Sequence, residues 1–162
     1  MISISKYKLE YNKDENIYYV QTDEIPLCPI CVSELIKKGR RKRKSLNQEG
    51  MWVVFSIRRL KCCKCKKTHH ELPDCIIPYK RYGTRAIENI INDVAEVFCE
   101  ESTIWRIKVW WTLMQSYVIN IAASLSAKYG YSITEVKKVA EIVRLLVNSN
   151  SWPGTRSALK PG

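Results

Sequence analysis

Two C-x-x-C pairs, separated by 30 residues, limit what this chain can fold into. The first is "CPIC", Cys28 and Cys31. The second is the outer pair of "CCKC", Cys62 and Cys65. A C-x-x-C turn presents both sulfurs to one side, so two facing turns supply a tetrahedron of thiolates, the arrangement zinc takes in closed structural sites. The chain must leave the first turn and return to the second. The segment "SELIKKGRRKRKSLNQEGMWVVFSIRRLK" can do so as a hairpin. Its half "MWVVFSIRRL" is rich in β-branched and aromatic residues. "NQEG" suits a turn in which Gly50 takes positive φ. The expectation is a zinc ribbon (knuckle, hairpin, knuckle) holding one structural Zn2+ on Cys28, Cys31, Cys62 and Cys65.

The other sulfurs and the two histidines take lesser parts. Seven cysteines is an odd number, and the N-terminus "MISISKYKLEYNKDE" lacks the apolar run of a secretory signal. A cytoplasmic chain that binds metal fits better than a disulfide framework. Cys63 is too close to Cys65 for the usual turn and would substitute only if the register slipped. Cys75 and Cys99 read as small buried apolar residues. His69 and His70 read as polar residues on the strand leaving the second knuckle, outside the ligand set. Four thiolates close the metal shell, whereas a catalytic zinc keeps a position open. The H-x-E…P-C-x-x-C, G-x-S-x-G, P-loop and H-E-x-x-H patterns are absent. The chain is therefore expected not to be an enzyme.

Positive charge is concentrated on the same part of the chain. The formal net charge is +11, and from Lys37 to Lys67 there are 13 Lys or Arg against one acid, Glu49. From Thr84 onward the balance is 9 basic to 7 acidic. A local excess of this kind suits a polyanion. The apolar stretch near Trp110 is broken by Gln115, Ser116 and Asn120, so no membrane span is expected.

Beyond a stiff connector with Pro73 and Pro78, the apolar spacing turns helical. Thr84 can cap "RAIENIINDVAEVF", with Ile87, Ile90, Ile91, Val94 and Phe98 on one face. Ser102 can cap a long helix whose stripe is Ile104, Ile107, Trp111, Met114, Val118, Ile121 and Leu125. A capping box, Ser132 to Glu135, announces a last helix with Val136, Val139, Ala140, Val143 and Leu146 inward. The first two helices have the outline of a helix-turn-helix. Its recognition helix would bind phosphate through Ser102 and Thr103 and present Trp105, Arg106 and Lys108 to the groove.

Together "CPIC", "RRLKCCKC", "THHELPD", "IIPYKRY" and "STIWRIKVWW" resemble a bacterial family that carries a domain of unknown function and is similar to the front ends of transposases. The likeness runs from about Leu27 to Trp111. It implies a zinc ribbon followed by a helix-turn-helix with DNA binding, and the family's cysteine pairs map onto Cys28, Cys31, Cys62 and Cys65. This chain departs from the pattern in four places. Val32 and Lys66 stand where such knuckles often have glycine, and Trp105 and Ile107 replace the first Arg and the Trp of a "STIRRW"-like helix.

These readings combine into an α+β expectation. Residues 1–82 form a small zinc-ribbon domain with an N-terminal extension, residues 83–150 an all-α part with a helix-turn-helix-like pair, and residues 151–162 an irregular tail. The expected function is non-catalytic binding of nucleic acid, double-stranded DNA first, as a regulator or a mobile-element protein. Lys37, Lys38, Arg40, Arg41, Lys42, Arg43, Lys44, Arg58 and Arg59 would grip phosphates from the hairpin, and Ser102, Thr103, Arg106 and Lys108 from the helix. A homo-oligomer or a separate catalytic subunit could complete the assembly. The alternatives are RNA or single-strand binding by a basic ribbon with exposed aromatics, and a protein-interaction module anchored by Trp110, Trp111 or Trp152. A complete transposase is disfavoured, because the 16 acids are scattered.

Overall fold

The computed structural model describes residues 1–94, 98–130 and 138–153. Six strands come first: β1 (Ile2–Ile4), β2 (Lys8–Asn12), β3 (Ile17–Gln21), β4 (Leu35–Leu46), β5 (Trp52–Cys62) and β6 (Thr68–Pro73). Three helices follow: α1 (Thr84–Ile91), α2 (Glu101–Tyr129) and α3 (Val139–Asn148).

The hairpin lies where the sequence indicates. β4 and β5 pair antiparallel from Leu46 opposite Trp52 to Leu35 opposite Cys62. The turn closes at Gly50, whose φ is +73°, with the Asn47 side chain accepting from Met51 N–H at 2.8 Å. Gly39, at φ +115°, sits in a register shift between Lys37 and Arg40, a backbone conformation that glycine alone adopts without strain.

The remainder of the sheet overturns the small-ribbon expectation. β5 carries β4 along one edge, and its other edge is shared. β3 pairs with it in parallel at Phe55 and Ser56, and β6 antiparallel from Arg59 to Lys61. β2 extends the sheet beyond β3, and β1 runs parallel to β6. The result is one curled, mixed six-stranded sheet with helices mostly C-terminal, in place of a ribbon followed by an all-α part. Residues 1–27, read from sequence as an extension, supply three of the six strands. β2 and β3 form a local hairpin that the sequence expectation does not include; the placement of β1 and β3 against the rest of the sheet was hidden for a physical reason. β1 and β3 pair with residues more than 30 positions away, and a three-residue strand has no periodicity to detect. β4, like the terminal strands β1 and β2, is paired along one side only; its outer side meets an isolated bridge from Leu46 to Tyr82.

The helix-turn-helix expectation also fails. α1 stops at Ile91 and α2 begins at Glu101, so residues 92–100 intervene where such a motif has a turn of about three or four residues. Phe98, expected on the helical stripe, is exposed. Residues 95–97 lie outside the described residues, as do the capping box Ser132–Glu135, Val136 and the tail from 154 onward. On α2, Ile107, Trp111, Met114 and Val118 are buried as expected, and Trp110 joins them. Val139, Val143 and Leu146 of α3 are buried too.

Two apolar clusters result. Ile2, Ile4, Val20, Phe55, Ile57, Leu60, Leu72 and Ile76 fill the sheet's side. The helices close over a second cluster containing Ile77, Ile87, Ile90, Trp110, Met114 and Leu146. Neighbouring residues Ile76 and Ile77 thus enter different clusters, and Met1 packs against both. A side-chain amide ties the halves together. Asn148 accepts from Ser3 N–H at 2.8 Å and donates to Ser3 C=O at 2.9 Å, imitating a strand neighbour for β1.

Candidate metal centre and basic face

Cys28 and Cys31 lie before β4, Cys62 ends β5 and Cys65 lies in the turn after it, so the long hairpin brings the two knuckles together. Cys28 Sγ is 3.6 Å from Cys65 Sγ, Cys31 Sγ is 3.4 Å from Cys62 Sγ, and all four sulfurs fall within 4.8 Å of one another. Four converging thiols at this spacing could hold a metal ion. Each knuckle is closed by backbone bonds: Val32 N–H to Cys28 C=O at 2.8 Å, and Cys62 N–H to Lys67 C=O at 3.0 Å. The residue after each second cysteine is left-handed, Val32 at φ +56° and Lys66 at φ +60°. That conformation explains why glycine is common at these two places. Cys63 is exposed and outside the cluster, while Cys75 and Cys99 are partly buried at the margins of the apolar clusters.

The thiols differ in acidity. Hydrogen bonds from Ser33 bring Cys31 down to about 6. Lys67 N–H favours the Cys65 thiolate, but burial and three neighbouring sulfurs outweigh it and push Cys65 up to about 11. A cluster that does not ionise uniformly by itself is one that a cation would help to deprotonate. His69, only 3% exposed, has Nε2 at 3.4 Å from Cys28 Sγ and Nδ1 at 3.4 Å from the Met1 nitrogen. Burial, then the nearby amino group, holds its pKa below the ordinary value, so the ring is neutral at pH 7 and can donate one N–H to the sulfur. His69 therefore touches a candidate ligand from outside the set of four. Its partner on the same strand, Glu71, is fully buried. The sequence signal for both was a pair of polar residues two apart on a strand.

The thirteen residues expected to contact DNA separate into distinct groups. Lys37, Lys38, Arg41, Lys42, Lys44 and Arg59 are exposed, with Lys42 3.7 Å from Glu15. Arg41, Arg59 and Arg43 surround His70, whose pKa is lowered first by burial and then by these charges. Arg43 is half-buried and donates to Lys80 C=O at 3.4 Å. Arg40 and Arg58 turn inward and work in the fold. Arg40 donates to Val20 C=O at 2.7 Å and Ser56 C=O at 2.8 Å. Arg58 grips Glu71 with two bonds of 2.5 and 2.6 Å and reaches Glu24 C=O at 3.1 Å. Both guanidiniums fill the splay where β3 and β6 part along β5.

On α2 the expected set is largely engaged within the protein. Glu100, not Ser102, is the N-cap. Arg106 folds back on its own helix, donating to Ser102 C=O at 3.0 Å and to the Thr103 hydroxyl at 3.3 Å, and Lys108 pairs with Asp93. Trp105 is exposed, while Trp110 and Trp111 are in the core and unavailable as anchors for a partner helix.

Among the described residues no helix is long and apolar enough to cross a membrane. No curated protein and no solved structure matches the chain. The stretch from the first cysteine of the first knuckle to Ile107 in α2, residues 28–107, matches the DUF6431 family, a domain of unknown function.

Proposed function

We propose that this chain is a non-catalytic nucleic-acid-binding protein, directed first at duplex DNA, whose knuckles are held by one structural Zn2+ on Cys28, Cys31, Cys62 and Cys65. The donor set supports zinc. Zinc–thiolate bonds of about 2.3 Å at tetrahedral angles separate sulfurs by about 3.8 Å, close to the 3.4 and 3.6 Å found here. The ion would join the two ends of the hairpin and leave no position open for water.

The basic face carries the nucleic-acid reading. Lys37, Lys38, Arg41, Lys44 and Arg59 are exposed on two paired strands, and the only acid from Lys37 to Lys67 is Glu49. Phosphates that reach these exposed side chains would release counterions. Arg40, Arg58 and Lys108 are not part of this grip. The resemblance to transposase front ends is in keeping with a mobile-element or regulatory setting.

The test is binding of zinc-loaded protein to a random duplex between 50 and 200 mM salt. A fall in affinity of about 10³-fold or more is expected for six or more phosphate contacts. Reversing Lys37, Lys38, Arg41 and Lys44 to Glu should abolish it. Unchanged binding by that variant, at unchanged metal content, would refute the assignment.

A further inference from the structure

A cleft of about 410 Å³ opens between the segment Pro78–Tyr82 and α2, with Trp152 and Pro153 at its end. Its volume is that of a small-molecule site. Its lining is unusual. Tyr79, Tyr82, Trp110 and Trp152 supply aromatic surface, Lys80, Arg81 and Arg106 supply positive charge, and among the described residues no carboxylate lines it. Lys80 Nζ already stands 4.0 Å from the centre of the Trp110 ring, and among the described residues no carboxylate is paired with it. Tyr79 is left-handed at φ +61° and 48% exposed, a strained conformation for a bulky residue. Such strain tends to persist at sites that use it.

The cleft adjoins the basic strand. Arg43 donates to Lys80 C=O at 3.4 Å, and Leu46 N–H and the Ser45 hydroxyl bond to Arg81 C=O at 2.7 and 3.2 Å. The wall that bears Lys80 and Arg81 is therefore fastened to the end of β4. A strand whose phosphates followed Lys37 to Lys44 would pass the mouth of the cleft.

We propose that this cleft receives one unpaired nucleotide of a nucleic-acid strand held along β4, its base stacking on the exposed ring of Tyr79 and its phosphate met by Lys80 and Arg81. The proposal rests on the nucleic-acid reading above and adds a subsite to it. Aromatic faces accept any base, so the site would recognise an unstacked nucleotide and not a sequence. Burial lowers the pKa of Lys80 to about 8, a direction that an arriving phosphate would oppose.

The experiment compares one labelled duplex in three forms: blunt, with a single unpaired thymidine, and with an abasic residue at the same place. Full-length zinc-loaded protein should bind the unpaired form about tenfold more tightly than the blunt one, and the abasic form should lose that gain. Tyr79→Ala and Arg81→Ala, both at exposed side chains, should erase the gain and leave blunt-duplex binding within about twofold. Equal affinity for all three forms would overturn the cleft while leaving the duplex grip standing. A gain that survives Tyr79→Ala and Arg81→Ala would also overturn it. Failure to bind any form would overturn both readings.

Discussion

Replacing Arg58 with methionine should destabilise the protein severely and leave the proposed DNA grip intact. Arg58 lies in the densest basic segment, and sequence alone assigns it to phosphate. In the structure its guanidinium holds Glu71, which is 0% exposed, through two short charge-assisted bonds. Without it a carboxylate is left buried and unpaired, which costs about 3–5 kcal/mol. The carbonyls of Glu24 and Thr22 lose a donor as well. The double variant Arg58→Met, Glu71→Leu removes both charges and should recover most of the loss, leaving about 1–2 kcal/mol for the two carbonyls. Urea unfolding of the zinc-loaded protein measures both changes, and the salt dependence of duplex binding measures the third quantity. The reasoning fails if Arg58→Met costs under about 1 kcal/mol, or if it flattens the salt slope while the fold is intact.

Three further outcomes follow from local geometry. Val32→Gly should stabilise by about 0.5–1.5 kcal/mol in denaturant unfolding, because it relieves a left-handed β-branched residue that is 71% exposed. Lys66→Gly should gain less, since Lys66 Nζ also donates to Cys63 C=O at 2.6 Å. Gly50→Ala should lose about 2–4 kcal/mol by the same assay, as its Cβ would stand 2.9 Å from Phe98 Cβ at a backbone φ of +73°. Lys80 supplies a pH test. Its folded pKa of about 8 lies below the unfolded value, so between about pH 8 and 10.5 the unfolded chain binds the extra proton and stability rises with pH. Lys80→Met should remove that rise when the two proteins are compared by thermal unfolding across the window.

The sequence made some parts of the protein legible because they are local. The knuckles, the hairpin with its Gly50 turn and the α2 stripe from Ile107 to Val118 each rest on spacings within one segment. The sheet's order was illegible because Ile2–Ile4 finds its partner at Glu71–Pro73 and Ile17–Gln21, besides its local hairpin with Lys8–Asn12, pairs at Phe55–Ser56. Charge misled in one respect. Arg40 and Arg58 look identical in sequence to Lys38 or Arg41, and only the splay between β3 and β6 turns them inward. The cleft was hidden for a similar reason, since its walls come from residues 78–82, 103–114 and 152–153.

β4 is a twelve-residue strand paired on one side only, and seven of its residues are Lys or Arg. An open strand edge of that length is a template on which another copy can add, and like charge is a common guard against it. The cations that would attract DNA therefore also keep copies of the chain apart. Neutralising them with alanine or glutamine would weaken DNA binding and expose the edge together, so precipitation would resemble a binding defect. Glutamate in the same places repels both phosphate and a second copy. Soluble, monodisperse glutamate variants beside self-associating glutamine variants would show that the strand's charge serves solubility as well as recognition.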